Sequence, residues 1–280
     1  MSYRWMETLL IEYVQFLETE EKSTGTIKKY RRDIEEFSRF LDGRDAVSRE
    51  LVLEFKRTLT ERYASSTVNS KLAALNSFFH YQGWDSLRVK FLKIQASVFR
   101  EAEKDLSRAE YLRLLQVARS QGKIQLALIM ETIGATGIRI GELPFITVES
   151  IRSGRTEVSN KGKRRMVFLP RKLRDRLLQF CRRQGIRTGI IFLSSRGNPV
   201  DRSNLWKEMK ALCCVSGVLP EKVFPHNLRH LFAKVFYAQN KDIAKLADLL
   251  GHGSIQTTRI YLMETGTAHE KLIERMGLLL

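Results

Sequence analysis

A mainly helical protein with two domains and one small antiparallel β insertion is the fold that this sequence predicts. Apolar residues recur at the three- and four-residue spacing of a helix stripe, as in Leu9, Tyr13 and Leu17. Strand-like segments flank one basic turn within residues 155–169. With 43% hydrophobic and 28% charged residues, the 280-residue chain has the composition of a folded protein with room for two ordinary domains.

Residues 1–95 form the first predicted domain, which contains several helices. After the first helix, the segment Ser23-Thr24-Gly25-Thr26 offers Thr24 or Thr26 as the cap of a helix over 26–41. A third helix is predicted near 48–62, and a fourth begins after Ser65-Ser66. The apolar stripes of the second and fourth helices are Tyr30, Ile34, Phe37 and Leu41, and Val68, Leu72, Leu75 and Phe79.

A linker is predicted at 96–104, where the helical periodicity lapses and charged residues accumulate. The second domain, 105–280, opens with Ser107 and Glu110 at the spacing of a helix-start capping box. Its β insertion comprises residues 155–159 and 165–169, which turn through Asn160-Lys161-Gly162-Lys163. Pro170 ends the second strand, and helix resumes near 171.

The charge of the chain indicates a polyanionic partner. There are 48 Lys and Arg residues against 31 Asp and Glu, a net charge of +17, which favours nucleic acid first and an anionic membrane second. No apolar run approaches the roughly 20 residues that span a bilayer, and Glu7 and Glu12 exclude a signal peptide. Cys181, Cys213 and Cys214 lack metal-ligand spacing. We therefore expect reduced thiols in a cytoplasmic, bacterial protein without a membrane partner.

His226 and Arg229 lie three residues apart at the start of an apolar helical segment. This spacing places both on one face near the helix N-terminus, where free N–H groups favour an anion and a guanidinium can hold two phosphate oxygens. The alternative is a solvated helix start without a function. No metal site is predicted with His230, because Asn227 stands where a zinc hydrolase carries Glu and no third ligand follows. His230 is instead assigned a structural hydrogen bond.

Arg139 stands between Ile138 and Ile140, just after Thr136-Gly137. An arginine in so apolar a segment must be paired or directed at a ligand, because a buried unpaired charge is costly. Glu142 could brace such an arginine, or the two could form a surface ion pair.

Leu250-Gly251-His252 is typical of a helix end with glycine in the left-handed conformation, which leaves His252 exposed on a turn. Tyr261 follows nine residues later. A lone tyrosine in an apolar segment is usually a core residue, but His252 could hold a phosphate oxygen near its hydroxyl.

Lys161 occupies the predicted β turn, where its ammonium could protonate a departing oxygen as a general acid. For Arg164 and Arg165, which follow Lys163, the sequence favours a solvated basic turn or contacts with backbone phosphates.

Five motifs follow one another along the chain: Thr136-Gly137-x-Arg139-x-x-Glu142-Leu143, Lys161-Gly162, His226-x-Leu228-Arg229-His230, Leu250-Gly251-His252 and Thr257-Thr258-x-x-Tyr261. In this order they resemble the motifs of the tyrosine recombinase, or phage integrase, family, and most closely those of its compact Xer-like members. Relatives usually have glycine before the lysine, where this chain has Asn160, so Lys163 is a rival for the acid role. The resemblance extends to the first domain through Thr26, Tyr30, Ser66, Thr67, Asn69 and Lys71, which are similar to a SAM-like core-binding module.

The resemblance implies a site-specific DNA recombinase that cuts and rejoins strands through a 3′-phosphotyrosine intermediate. Arg139 and Arg229, assisted by His252, would neutralise the phosphate, His226 would take the proton of the nucleophile Tyr261, and Lys161 would protonate the leaving oxygen. Neither a metal nor a cofactor such as ATP is expected. The two alternatives are a catalytically inactive DNA-binding relative and a strand-relaxing enzyme similar to type IB topoisomerases.

Double-stranded DNA is the partner that the resemblance implies, held in a clamp formed by the two domains. The residues expected to contact DNA are Lys28, Lys29, Arg32, Ser66, Thr67, Lys71, Lys163 and Arg164. The C-terminal segment 268–280 is amphipathic and ends in Leu278-Leu279-Leu280. We expect it to dock into a neighbouring protomer and form a homotetramer on two DNA sites, with accessory proteins as further candidate partners.

Overall fold

The computed structural model describes residues 3–94, 105–160 and 163–262. Contacts within the chain divide it into two compact units, Met1–Ala96 and Ser97–Leu280. The elements are mainly helices, with two small antiparallel sheets, so the predicted fold class is confirmed. The predicted linker, 96–104, lies outside the described residues.

Four helices make up most of the first unit: α1 (Thr8–Thr19), α2 (Thr24–Leu41), α3 (Arg49–Arg62) and α4 (Ser65–Tyr81). The cap of α2 is Ser23, whose hydroxyl accepts from the N–H of Thr26 at 3.3 Å. The prediction of Thr24 or Thr26 as the cap was therefore wrong. Ser23 takes this role because its backbone is outside the helical region, whereas Thr24 already belongs to the helix.

A short β ribbon in the first unit was not predicted. Tyr3–Arg4 (β1) pairs antiparallel with Ala46–Val47 (β2). Each strand has only two residues, too few for an alternating pattern to be visible in the sequence.

Aromatic side chains fill the core of the first unit. Tyr13, Phe37, Phe78 and Phe79 are each 0% exposed, and Trp5 meets Phe37 edge-on with ring centroids 5.6 Å apart. Burying one large apolar side chain contributes about 1.5–3 kcal/mol. This core fixes α1, α2 and α4 relative to one another, and with them the basic residues on α2 and α4.

The second unit is built from the helices α5 (Arg108–Ser120), α6 (Ile124–Thr136), α7 (Val148–Ser153), α8 (Arg171–Arg183), α9 (Arg202–Ala211), α10 (Cys213–Ser216), α11 (Pro225–Asn240), α12 (Ile243–Leu250) and α13 (Ile255–Leu262). The predicted capping box opens α5: Ser107 Oγ accepts from the N–H of Glu110 at 3.2 Å, and the Glu110 carboxylate accepts from the N–H of Ser107 at 2.8 Å. Helix α6 is buried on almost all sides and forms the centre of the core.

The predicted β insertion is present as β3 (Arg155–Asn160) and β4 (Lys163–Phe168), paired antiparallel. Val158 and Val167 are 0% and 2% exposed and face the core. Because side chains alternate along a strand, Arg165 lies on the same face as Val167. The hairpin therefore directs one arginine into the protein.

Helices α11, α12 and α13 close the second unit, with α11 packed against α6 and α13 packed against α11 and α12. Ala233, Leu246, Leu250 and Tyr261 form a small buried cluster between them. The C-terminal segment 268–280 lies outside the described residues. Within the described ranges, the structure contains no helix long and apolar enough to cross a membrane.

Candidate active site

Gly137 ends α6 and connects it to the site. Its φ of +65° is in the left-handed region that glycine adopts without strain. A Cβ at this position would lie 2.5 Å from Cδ1 of Phe232 on α11. The carbonyl of Gly137 accepts a hydrogen bond from Nη1 of Arg229. Glycine is thus required both for the turn and for the close approach of α11.

Arg139 begins the 3₁₀ segment Ile140–Phe145 and is held by Glu142. The Glu142 carboxylate accepts from the Arg139 N–H at 2.8 Å and from Nη1 at 3.0 Å. Glu142 is 2% exposed, whereas the Arg139 side chain is 33% exposed. The sequence left open a surface ion pair or a braced arginine. Because the carboxylate is buried and the guanidinium reaches solvent, the structure supports the braced arginine.

A second arginine neutralises the same carboxylate. Arg165 donates to both oxygens of Glu142, at 2.8 and 2.7 Å. Burial alone would raise the pKa of Glu142, but the hydrogen bonds from Arg165 and Arg139 outweigh it and hold the pKa at about 2. The Arg165 side chain is only 8% exposed, so the expectation of a solvated residue or a phosphate contact was wrong. Arg164, which points to the other face, is 76% exposed as expected.

Among the cations of the site that the structure describes, Arg229 is the most deeply buried, at 1% exposure. Its Nη2 donates to the Leu250 carbonyl at 2.6 Å and to Nε2 of His252 at 3.1 Å. Its buried Nε has no hydrogen-bond partner among the described residues. Burial and the nearby charge of Arg139 lower the pKa of Arg229 to about 10, so it stays protonated at neutral pH. Two cations within electrostatic reach of each other favour an anion between them.

His252 follows α12, whose C-cap Gly251 has the predicted left-handed conformation, with φ +63°. The ring is half-buried rather than exposed, because it packs between Arg229 and the fully buried Thr258. A guanidinium can only donate, so Nε2 accepts from Arg229 and Nδ1–H donates to Thr258 Oγ1 at 2.9 Å. Burial and the charge of Arg229 lower the pKa of His252 to about 4, which leaves the ring neutral.

Tyr261 on α13 is surrounded by imidazole rings. Its Oη lies 3.1 Å from Nε2 of His226, and its ring stacks on His230 with centroids 4.1 Å apart. The ring of His252 lies 5.1 Å away. Tyr261 is 5% exposed, so it is both a core residue and a member of the polar cluster. The phenol and the imidazole of His226 are in position for proton transfer.

The turn between β3 and β4 contributes no described side chain. Lys161 lies outside the described residues, and the Lys163 side chain does as well, so the choice between them as the acid stays a prediction.

Among the residues that the structure describes, no group of three or more His, Cys, Asp or Glu side chains could hold a metal ion.

A groove of about 960 Å³ between α2, α3 and α4 is lined by five basic residues, Lys29, Arg32, Arg39, Arg62 and Lys71. Lys28, Arg32, Ser66 and Thr67 are exposed, and Lys29 is half-buried. Lys71 differs, because it is 8% exposed and its ammonium is paired with Asp33 and Glu36. A direct contact of Lys71 with phosphate would require these pairs to break, so the accessible cations are the better candidates.

Both the sequence and the fold of the chain are similar to those of known proteins. Residues 104–266 match the phage integrase family, and residues 10–85 match the N-terminal SAM-like domain of phage integrases. Tyrosine recombinase XerC of Herpetosiphon aurantiacus is 31% identical over 91% of this chain and 90% of its own length. Tyrosine recombinase XerA of Pyrococcus furiosus is 28% identical over 97% and 94%. The fold is also similar to a lambda integrase tetramer bound to a Holliday junction, with a TM-score of 0.74, 21% identity and coverage of 93% of this chain and 77% of the integrase.

Proposed function

Because the chain belongs to the phage integrase family and is a site-specific tyrosine recombinase, which breaks and rejoins DNA, we propose that the side chains gathered around Tyr261 carry out this reaction. The observation that carries the assignment is the 3.1 Å contact between Tyr261 Oη and His226 Nε2, beside the Arg229–His252 pair. These contacts support the proposal that Tyr261 is the nucleophile, that His226 accepts its proton and that Arg229 and His252 bind the anion. The six predicted catalytic residues are Arg139, Lys161, His226, Arg229, His252 and Tyr261.

Phosphate binding is the first task of the site. Arg139 and Arg229 neutralise the non-bridging oxygens of a phosphodiester as negative charge builds on them during attack. The burial of Arg229 strengthens this interaction, because charges attract more strongly away from water. His252 reaches the same anion through Nε2 once that nitrogen carries a proton. The phosphate itself favours this protonation, since a nearby negative charge raises the pKa of an imidazole.

Activation of the nucleophile is the second task. A free phenol is mostly protonated at neutral pH. His226 Nε2 accepts the Tyr261 proton, and the phenolate oxygen attacks phosphorus in line. The bond from phosphorus to the 5′ oxygen breaks, and Lys161, or its rival Lys163, gives that oxygen a proton. The product is a 3′-phosphotyrosine link and a free 5′ hydroxyl.

Rejoining reverses these steps with a 5′ hydroxyl from another DNA strand. The phosphotyrosine link conserves the energy of the phosphodiester bond, so the reaction as proposed requires no ATP. The relatives' activity favours this outcome over an inactive DNA-binding protein or a strand-relaxing enzyme.

We further propose that four copies assemble on two DNA sites through the C-terminal segment 268–280. The apolar end of this segment supports the idea, because an exposed run of leucines is unfavourable in a soluble monomer. The tetrameric assembly of the structurally similar lambda integrase also supports it.

Covalent trapping tests the nucleophile. The native chain is incubated with nicked duplexes that carry candidate recombination sites, and protease-sensitive DNA adducts are resolved on a denaturing gel. We expect an adduct with the native chain and none with Tyr261→Phe. Tyr237→Phe is the matched control, because Tyr237 is a tyrosine of the neighbouring α11 that packs against the same cluster. An equal adduct from Tyr261→Phe, or no adduct from the native chain on any duplex, would contradict the proposal.

A further inference from the structure

Arg165 connects three parts of the active site that are distant in the sequence. Its side chain projects from the inner face of the β3–β4 hairpin and is buried, at 8% exposure. We propose that Arg165 is a positioning residue of the strand-cleavage reaction, which holds Arg139 and His252 in place around the reacting phosphate. This inference rests on the proposed function of the cluster.

The first connection runs through Glu142 to Arg139. Arg165 donates to both carboxylate oxygens, at 2.8 and 2.7 Å, while Arg139 reaches one of them with its guanidinium at 3.0 Å. Arg165 therefore supplies most of the neutralisation that the buried carboxylate needs. This arrangement leaves the charge of Arg139 available to a phosphate. Without Arg165, the guanidinium of Arg139 would be drawn inward to compensate Glu142.

The second connection runs to the end of α12. Nε of Arg165 donates to the Leu249 carbonyl at 3.1 Å, and its aliphatic stem lies against Gly251. A Cβ on Gly251 would be 2.5 Å from Cδ of Arg165. The next residue is His252. Arg165 thus holds the backbone immediately before the imidazole.

The geometry requires an arginine rather than any cation. All three nitrogens of the guanidinium are engaged, Nη1 and Nη2 with the Glu142 carboxylate and Nε with the Leu249 carbonyl. A lysine ammonium is a single point charge on a flexible stem and cannot reproduce this planar fork. Arg165→Lys keeps the charge and loses the geometry, and Arg165→Met removes both.

Single-turnover cleavage separates positioning from general damage. We expect Arg165→Met and Arg165→Lys to cleave an ordinary site at least about tenfold more slowly than the native chain, the effect of a displaced charge-assisted hydrogen bond. DNA affinity should change by less than about twofold. Contacts between cationic side chains and DNA phosphates dominate the affinity, and Arg165 is too buried to make such a contact. Arg182→Met, which removes an exposed arginine of α8 that has no part in the site or in the expected DNA contacts, is the control and should behave as the native chain does. Thermal unfolding of each variant reports whether it is folded.

Two modified substrates give the decisive comparison. A methylphosphonate at the scissile position lacks one anionic oxygen and so needs less help from Arg139 and His252. A 5′-bridging phosphorothiolate has a good leaving group and so needs no general acid. We expect the deficit of the Arg165 variants, measured against the native chain on the same substrate, to shrink on the methylphosphonate and to persist on the phosphorothiolate.

Other outcomes would overturn the inference. An equal deficit on all three substrates would mean general structural damage, and relief only on the phosphorothiolate would mean that Arg165 acts through the lysine turn. Full activity of Arg165→Met beside an inactive Tyr261→Phe would remove the role of Arg165 while leaving the proposed function intact. An active Tyr261→Phe would instead contradict the function itself.

Discussion

Some residues of the site have both a structural role and a role in the proposed reaction. Arg229 holds backbone carbonyls of two segments and also lies next to His252, so it is part of the framework and of the anion site. Thr258 is fully buried and accepts from Nδ1 of His252, which keeps Nε2 directed at the guanidinium. The Thr258 hydroxyl therefore helps to fix the tautomer and the orientation of the His252 ring.

Replacement of this hydroxyl should slow cleavage. Thr258→Val keeps the shape of the side chain but removes the acceptor, and we expect the single-turnover rate to fall about tenfold, the cost of one positioning hydrogen bond. Thr258→Ser retains the hydroxyl and should stay close to the native rate. A valine variant as fast as the native chain would show that Thr258 does not orient His252.

Three of the proposed catalytic side chains lie at or next to the end of a helix. Arg139 follows the end of α6, His226 lies in the first turn of α11, and His252 follows the end of α12. Left-handed glycines terminate α6 and α12, and each also gives room to a side chain of another element. The glycine in each motif therefore determines where the following polar residue is placed.

Gly137→Ala tests this view of the helix ends. The added methyl group would meet Phe232, and the left-handed backbone would be strained, so we expect a loss of about 1–3 kcal/mol in the free energy of unfolding and slower cleavage. Gly25→Ala is the control, because Gly25 lies within α2 with nothing within 4 Å of the added Cβ. Urea unfolding measures both variants. Unchanged stability of Gly137→Ala would contradict the account of the α6–α11 contact.

The sequence was sufficient for the helical class and the β insertion, because both depend on local spacing. It paired Glu142 with Arg139 but left open whether the two form a surface ion pair or a buried brace, because spacing does not show burial. It missed the burial of Arg165 and the half-burial of His252, because both depend on which residues from distant segments pack against them. Side chains alternate between the two faces of a strand, so the apolar Val167 could have indicated that Arg165, two residues earlier, faces inward as well. The pairing of Lys71 with Asp33 and Glu36 had no such local signal, since these residues lie on different helices.

On the scale of the whole molecule, the net charge of +17 suits a protein that binds DNA mainly through phosphates. The structure places accessible cations on α2 in the first unit and on the hairpin in the second. In the proposed reaction, cleavage joins one Tyr261 to one phosphate, whereas strand exchange needs cleaved strands from two DNA sites.

Truncation before Ala268 should separate these two steps. We expect the truncated chain to form the covalent adduct on a single site but to yield no recombinant product from two sites, because it lacks the segment 268–280 through which we propose that the protomers assemble. Lys271→Ala, a change at a polar position of the same segment, should recombine normally. Recombination by the truncated chain at the native rate would contradict the proposed tetramer contact.

A crystal structure of Tyr261→Phe bound to its DNA site would test whether Arg139 and Arg229 bind one phosphate. We expect both guanidiniums within hydrogen-bond distance of non-bridging oxygens of one phosphate, with the substituted aromatic ring facing the phosphorus of that group. Guanidiniums bound to different phosphates, or a ring turned away from the phosphorus, would contradict this expectation.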